Sequence, residues 1–215
     1  AELRAIRASL ENHTSELERR VVQLQVASEI ARDAASLGGM EDLLNRAVNL
    51  VRDRFGFYHA GIFMVEHGYA VLRAASGEAG QQMLGARHRL KVGEVGIVGH
   101  VVGSGQPRIA LDVRTDTAYF DNPLLPETRS EMALPLKVGG TIIGAIDVQS
   151  KQANAFSNDD IAILQTMADQ LAVAIENVRL LEATQRQLDE LTILHAVAMA
   201  GAEATSQDEL IERAT

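Results

Sequence analysis

The stretch that decides the fold is "EMALPLKVGGTIIGAIDVQS", residues 131–150. Two apolar runs of strand length flank Gly139–Gly140, and a glycine pair supplies the backbone freedom of a tight two-residue turn. The segment therefore predicts two antiparallel strands joined as a hairpin. Upstream, "RIALDV" (108–113) predicts another strand. Between it and the hairpin, "TDTAYFDNPLLPETR" (115–129) keeps no period and carries two of the four prolines in the chain. A connection this long inside a domain is usually functional, and it reads as a pocket wall or lid.

Further upstream, "EVGIVGHVVGSG" (94–105) suits a short glycine-studded helix, and "ARHRLKV" (86–92) alternates like a strand. Two more strands, Ala60 to Val65 and Tyr69 to Ala75, are joined by "EHGY" (66–69) in a second hairpin. Before them, Met40 to Phe55 has a helical period with Leu43, Leu44, Ala47, Val48 and Val51 on one side. After the 131–150 hairpin, Ile161, Leu164, Ala168, Leu171, Ile175 and Val178 mark a helix packed on a core. Ser157 with Asp160 is a capping pair at its start, so Asp159 and Asp160 read as first-turn charges rather than as catalytic acids or metal ligands. The sum is an α+β chain: a central antiparallel sheet of about six strands flanked by helices.

Both ends predict long coiled-coil-type helices. Leu3, Leu10, Leu17 and Leu24 recur every seventh residue, although the companion positions Ile6, His13, Arg20 and Ala27 make a poor second seam. That pattern fits a dimer seam, and it also fits an amphipathic helix lying on its own domain. Past Leu181 the last helix turns polar, leaving a thin seam of Leu181, Leu188, Leu191 and His195. The closing "ELTILHAVAMAGAEATSQDELIERAT" (190–215) aligns without a slip on "QLQVASEIARDAASLGGMEDLLNRAV" (23–48), placing Leu191 on Leu24, Ala198 on Ala31 and Leu210 on Leu43. It reads as the start of a repeat, with Ser206 and Glu209 as its own capping box. The chain opens on Ala1 inside a helical pattern, so both ends are expected to be cut from something longer.

The totals remove several classes of function. With 20 basic against 29 acidic residues and a net charge of -9, polyanions such as nucleic acid or an anionic membrane surface are not expected partners. The absence of cysteine excludes disulfides, thiolate zinc sites, cysteine nucleophiles and thioether-linked chromophores. No run approaches the roughly 18 apolar residues of a membrane span, and a cytoplasmic location is expected.

Three segments in series resemble the GAF domains: "GEVGIVGHVVGSGQPRIALDV" (93–113), "RSEMALPLKVGGTIIGAIDVQS" (129–150) and "FSNDDIAILQTMADQLAVAIENVRL" (156–180). They stand in that family's order and spacing, and the resemblance covers about residues 24 to 182. It implies a GAF/PAS-like ligand-sensing module, one of a tandem pair in a multidomain bacterial protein such as the sensor histidine kinase of a two-component system. The resulting plan is an N-terminal signalling helix at 1–37, a GAF domain at 38–182, a connecting helix at 183–200 and the start of a second GAF domain at 201–215. The implied function is a regulatory sensor that binds a small molecule or partner and signals through dimeric helices to an output domain such as a kinase or cyclase. The alternatives are a non-binding spacer that only dimerises, or a domain binding haem or a cyclic nucleotide. Catalytic relatives of the fold, the free-methionine sulfoxide reductases, depend on cysteines, so this chain is expected not to be an enzyme.

The candidate binding residues are Asp112, Arg114, Tyr119, Phe120, Arg129, Ser130 and Glu131, an aromatic pair among placed polar groups in and around the long loop. Tyr119 and Phe120 serve equally as loop anchors, and Arg129 as one half of an ion pair. His100, on the short helix, is the candidate haem ligand, against a plain solvent-facing or hydrogen-bonded role. Of the cyclic-nucleotide signature, Lys151, Phe156 and Asp160 match, whereas Ser150 stands for an asparagine and Ile161 for a glutamate. Gly93, Gly96, Gly99, Gly103 and Gly105 lack the spacing of a phosphate loop or dinucleotide fold and read as turns, caps and close packing, or else as amides facing a ligand's anionic group. No metal is expected, because the six histidines show no HExxH. The cofactor is left open as a noncovalent small molecule, and the expected partner is a second copy of the chain.

Overall fold

The structure, a computed structural model, describes residues 39–214, with side chains described through Ile193 and at His195. The expected N-terminal signalling helix at 1–37, with its leucine seam, lies outside the described residues. Helix α1, Gly39–Phe55, buries Leu43, Leu44, Ala47, Val48 and Val51, the stripe that the 3.6-residue period predicts. Glu41 and Asp42 in its first turn and Arg52 and Arg54 in its last complement the helix dipole.

Strands β1 (His59–Glu66) and β2 (Tyr69–Ala75) form the first hairpin through His67 and Gly68, both at positive φ. Helix α2, Gly77–Gly85, was not expected from the sequence. Its glycines and its two buried residues, Gly80 and Met83, leave neither propensity nor period to read. Strand β3 (Arg89–Lys91) is shorter than the expected 86–92, and helix α3 (Gly96–Ser104) follows. Strand β4 is Arg108–Ala110; it stops short of residue 113 because the Asp112 side chain accepts from the Arg114 amide and starts a 3-10 turn, Val113–Thr115. Strands β5 (Ser130–Val138) and β6 (Thr141–Ser150) form the hairpin around Gly139 and Gly140, at φ 54 and 85, as a tight turn with two left-handed residues requires.

The six strands make one sheet in the order β3-β2-β1-β6-β5-β4, antiparallel throughout. Both faces are covered, so β5 is buried along most of its length rather than alternating in and out. One face carries Ala60, Ile62, Met132, Leu134, Ile146 and Val148, all buried, and α1 lies on it against β1 and β2. The other face carries Phe63, Leu72, Ala133 and Ala145, packed with Ile97, Val98, Val101 and Val102 of α3, Met83 of α2, and Val113 and Leu125 beyond β4. Helix α3 seats closely: a Cβ on Gly99 would stand 2.6 Å from the Lys91 carbonyl oxygen, and one on Gly103 would stand 2.8 Å from the Gly93 Cα. These two glycines are points of close helix-to-sheet contact.

Helix α4, Asn158–Ala214, begins with the expected capping box. Ser157 Oγ accepts from the Asp160 amide at 3.2 Å, and the Asp160 carboxylate accepts from the Ser157 amide at 3.0 Å. Up to Glu176 the helix belongs to the globular unit and buries Leu164, Met167, Ala168, Leu171, Ala172 and Ile175. From Asn177 onward it forms a second unit, helical through Gly201 and Ser206, where Leu180, Leu181, Leu188, Leu191 and Ile193 are each more than half exposed. Among the described residues no helix is long and apolar enough to cross a membrane.

Candidate functional site

The register of the central strands collects polar side chains on the sheet face that α3 covers. Across β5 and β6, Glu131 pairs with Gln149 and Ala133 with Asp147; across β1 and β6, His59 pairs with Gln149 and Gly61 with Asp147. Facing residues in an antiparallel pair point to the same side, so Glu131, Asp147, Gln149 and His59 cluster beside Phe63 and Ala133. All four are under 9% exposed, and Glu131 and Asp147 are 6% and 2% exposed. Carboxyl groups this deep are rare unless they are partnered.

The partners form a chain. Thr128 Oγ1 donates to Gln149 Oε1 at 2.7 Å, and Gln149 Nε2 donates to Asp147 Oδ2 at 2.8 Å. Asp147 in turn meets the Glu131 carboxyl in a hydrogen bond, which requires a proton on one of the two. Burial first, and the Asp147 charge second, push the Glu131 carboxyl well above its ordinary range; burial also raises Asp147, while the bonds from Gln149 and Glu131 hold it down. The two acids share a proton, because burial raises both. Above the Asp147 value of about 7 the pair carries a single negative charge, since adjacent buried acids do not both ionise readily.

The walls continue this chemistry. Burial holds the His59 imidazole down at about 4, helped by the neighbouring His88, so it is neutral at physiological pH. Burial also lowers His88, whose ring lies 6.1 Å from that of Phe63 and 6.0 Å from that of Phe120. Tyr119 of the long loop touches Thr128, and burial together with the nearby acids pushes its phenol up to about 12. The loop is tied across the site by Asn122 Nδ2, which lies 2.9 Å from Met83 Sδ of α2, and by Leu125, which is buried in the core below.

The sequence-predicted residues fall in three places. Tyr119 and Glu131 join the buried cluster, with Phe120, 40% exposed, at its edge against His88. Asp112, Arg114 and Arg129 form an ion-pair group of their own: Arg114 Nη2 lies 2.7 Å and Arg129 Nη2 3.3 Å from Asp112 Oδ2. The Arg114 guanidinium, with help from Arg129, holds the Asp112 carboxyl well below the usual range. Ser130 is fully buried, and its Oγ donates to the Gln152 carbonyl at 2.7 Å, pinning the end of the hairpin. His100 turns its Nδ1 to the Gly96 carbonyl one helical turn back, at 2.9 Å. Sequence reading did not single out His59, His88, Thr128, Asp147 or Gln149. The available signal was the polar pair Asp147 and Gln149 at alternate positions of a strand whose both faces had to be covered.

Many solved structures share this fold. The chain matches the GAF domain of a phosphoenolpyruvate-protein phosphotransferase from Coxiella burnetii at 24% identity and TM-score 0.65, covering 75% of this chain and 96% of that one. It matches the free methionine-R-sulfoxide reductase of Neisseria meningitidis, solved in complex with its substrate, at 23% identity and TM-score 0.64, over 75% and 90% of the two chains. The type II free methionine-R-sulfoxide reductase of Thermoplasma acidophilum matches at 23% identity and TM-score 0.57, over 69% and 96%. At these identities the likeness is one of fold.

The two reductases correct the expectation that the chain is not an enzyme, because this same fold carries catalysis in its neighbours. Absence of cysteine removes thiol chemistry only; carboxyl, imidazole and phenol groups are all present in the buried cluster. No curated protein matches the chain. The GAF domain family model matches residues 39–176, well over half of the length. The chain belongs to the GAF domain family.

Proposed function

We propose that this GAF domain is a sensor module that binds a small molecule at the Glu131–Asp147 cluster and passes the resulting change along α4 to a separate output domain, a kinase or cyclase, in the cytoplasm. The observation that carries the reading is the buried polar chain from Tyr119 through Thr128 and Gln149 to the acid pair. Packing alone would favour apolar residues at these positions, because desolvated acids are a weak source of stability. Its link to the long loop gives a bound molecule a segment to displace. The exposed leucines of α4 from Leu180 to Leu191 suit pairing with the same helix of a second copy, so the active form is a homodimer.

A thermal-shift screen against nucleotides, amino acids, amines, organic acids and haem tests the sensor reading. A ligand confined to the folded state must raise the melting temperature, and the shift should vanish in Gln149→Leu. A screen without any hit refutes it and favours the second reading, a spacer whose core is filled by its own Leu125 and Tyr119. Light scattering that finds a monomer at tens of micromolar would refute the dimer.

A further inference from the structure

The acid pair has an unanswered charge. Asp147 Oδ2 is taken by Gln149, whereas Oδ1, on a residue 2% exposed, has no hydrogen-bond donor except a protonated Glu131. The neighbouring groups do not supply a cation. His59 is kept neutral by burial, Arg108 is spent on Asp116 at 2.7 Å, and Arg129 is turned to Asp112. Among the described residues no lysine or arginine is ion-paired with either carboxyl. A buried anion in this position is expensive unless something of opposite charge meets it.

Resting on the reading of this cluster as a ligand site, we propose that its ligand is a cation: a small amine whose ammonium group sits against the Glu131 and Asp147 carboxyls. The amine supplies a donor to Asp147 Oδ1, and its charge offsets the negative charge of the pair. Its apolar body lies along Phe63, Leu72 and the His88 ring, the groups that share this sheet face. An anionic ligand would bring like charge onto the pair, with which no described arginine or lysine is ion-paired. A neutral one would leave the charge as it stands. The charge closes: one ammonium meets a pair that carries one negative charge, and the shared proton stays in place.

The test uses the whole chain with matched probes: benzylamine and 1,5-diaminopentane, the corresponding alcohols, and benzoate and glutarate. At a hundred times its Kd an amine should raise the melting temperature by about 5–10 °C, while the alcohols and acids leave it unchanged. Calorimetry at pH 8 in two buffers of different ionisation enthalpy should show no proton released per amine bound, and Asp147→Asn should abolish the binding. The contrast of amines with alcohols and acids on the unmutated protein keeps the test decisive if the variant does not fold. One proton released for each amine bound, or amines that produce no shift, would overturn the proposal. If alcohols or acids bind instead, and lose binding in Gln149→Leu, the sensor reading stands and the amine proposal falls.

Discussion

Replacing Glu131 with glutamine changes one atom of the buried pair and leaves its geometry serviceable, since the amide Nε2 can donate to Asp147 as the protonated acid does. What the substitution removes is a titration. In the unfolded chain Glu131 loses its proton near 4.5, whereas in the folded protein burial and Asp147 raise its carboxyl well above that value. Above pH 4.5 the folded state thus holds one more proton than the unfolded state, and stability falls as pH rises until the folded carboxyl ionises. Each pH unit in that window costs the wild type about 1.4 kcal/mol at this group, and the glutamine variant escapes the cost. The variant should therefore gain on the wild type steadily as pH rises from 5, and the gain should level off where the folded Glu131 carboxyl ionises. Urea unfolding at pH 5, 6 and 7, with linear extrapolation at each pH, measures the difference directly. Stability curves that run parallel for the two proteins would refute the raised Glu131 carboxyl.

His59 should produce the opposite slope. Its folded value of about 4 lies below the ordinary 6.5, so the unfolded state binds more protons between these limits and stability rises with pH across them. His59→Gln should remove a gain of about 3 kcal/mol over that window, and an NMR titration placing His59 near 6.5 would contradict it. Gly99→Ala should cost about 1–3 kcal/mol, because its Cβ would be driven into the Lys91 carbonyl. Gly85→Ala on α2, where a Cβ meets nothing within 4 Å, should be neutral or stabilising by up to about 1 kcal/mol, and chemical denaturation compares the two.

Most of the architecture was legible because periodicity and turn chemistry agreed. The α1 stripe from Leu43 to Val51 has one helical reading, and Gly139–Gly140 admits little but a tight hairpin. Helix α2 was not legible, since "GEAGQQMLG" makes a helix only through what Met83 and Gly80 pack against. At the site, the long loop announced itself by losing all period, and Tyr119 and Glu131 stood out within and beside it. Asp147, Gln149 and His59 did not, because a polar residue at every second strand position ordinarily marks a solvated face. Only the register of β1 on β6, with α3 covering that face, turns these residues inward. The ion pairs of Asp112 with Arg114 and Arg129 show the converse. A cluster that looks rich in binding groups along the chain can spend them on one another.

The strand order has a kinetic side. Two hairpins, β1–β2 and β5–β6, close locally, but the sheet is complete only when β1 finds β6 across the intervening length of chain. Local hairpins form in microseconds, and long loops close at greater entropic cost, so this seam belongs to the late part of folding. The hairpin alone brings Glu131 and Asp147 together, whereas His59 reaches Gln149 only when the seam zips. A molecule held between these residues would clasp the joint that opens first and closes last. Its occupancy should therefore lengthen the life of the folded state more than it hastens folding, which unfolding rates measured with and without ligand would reveal.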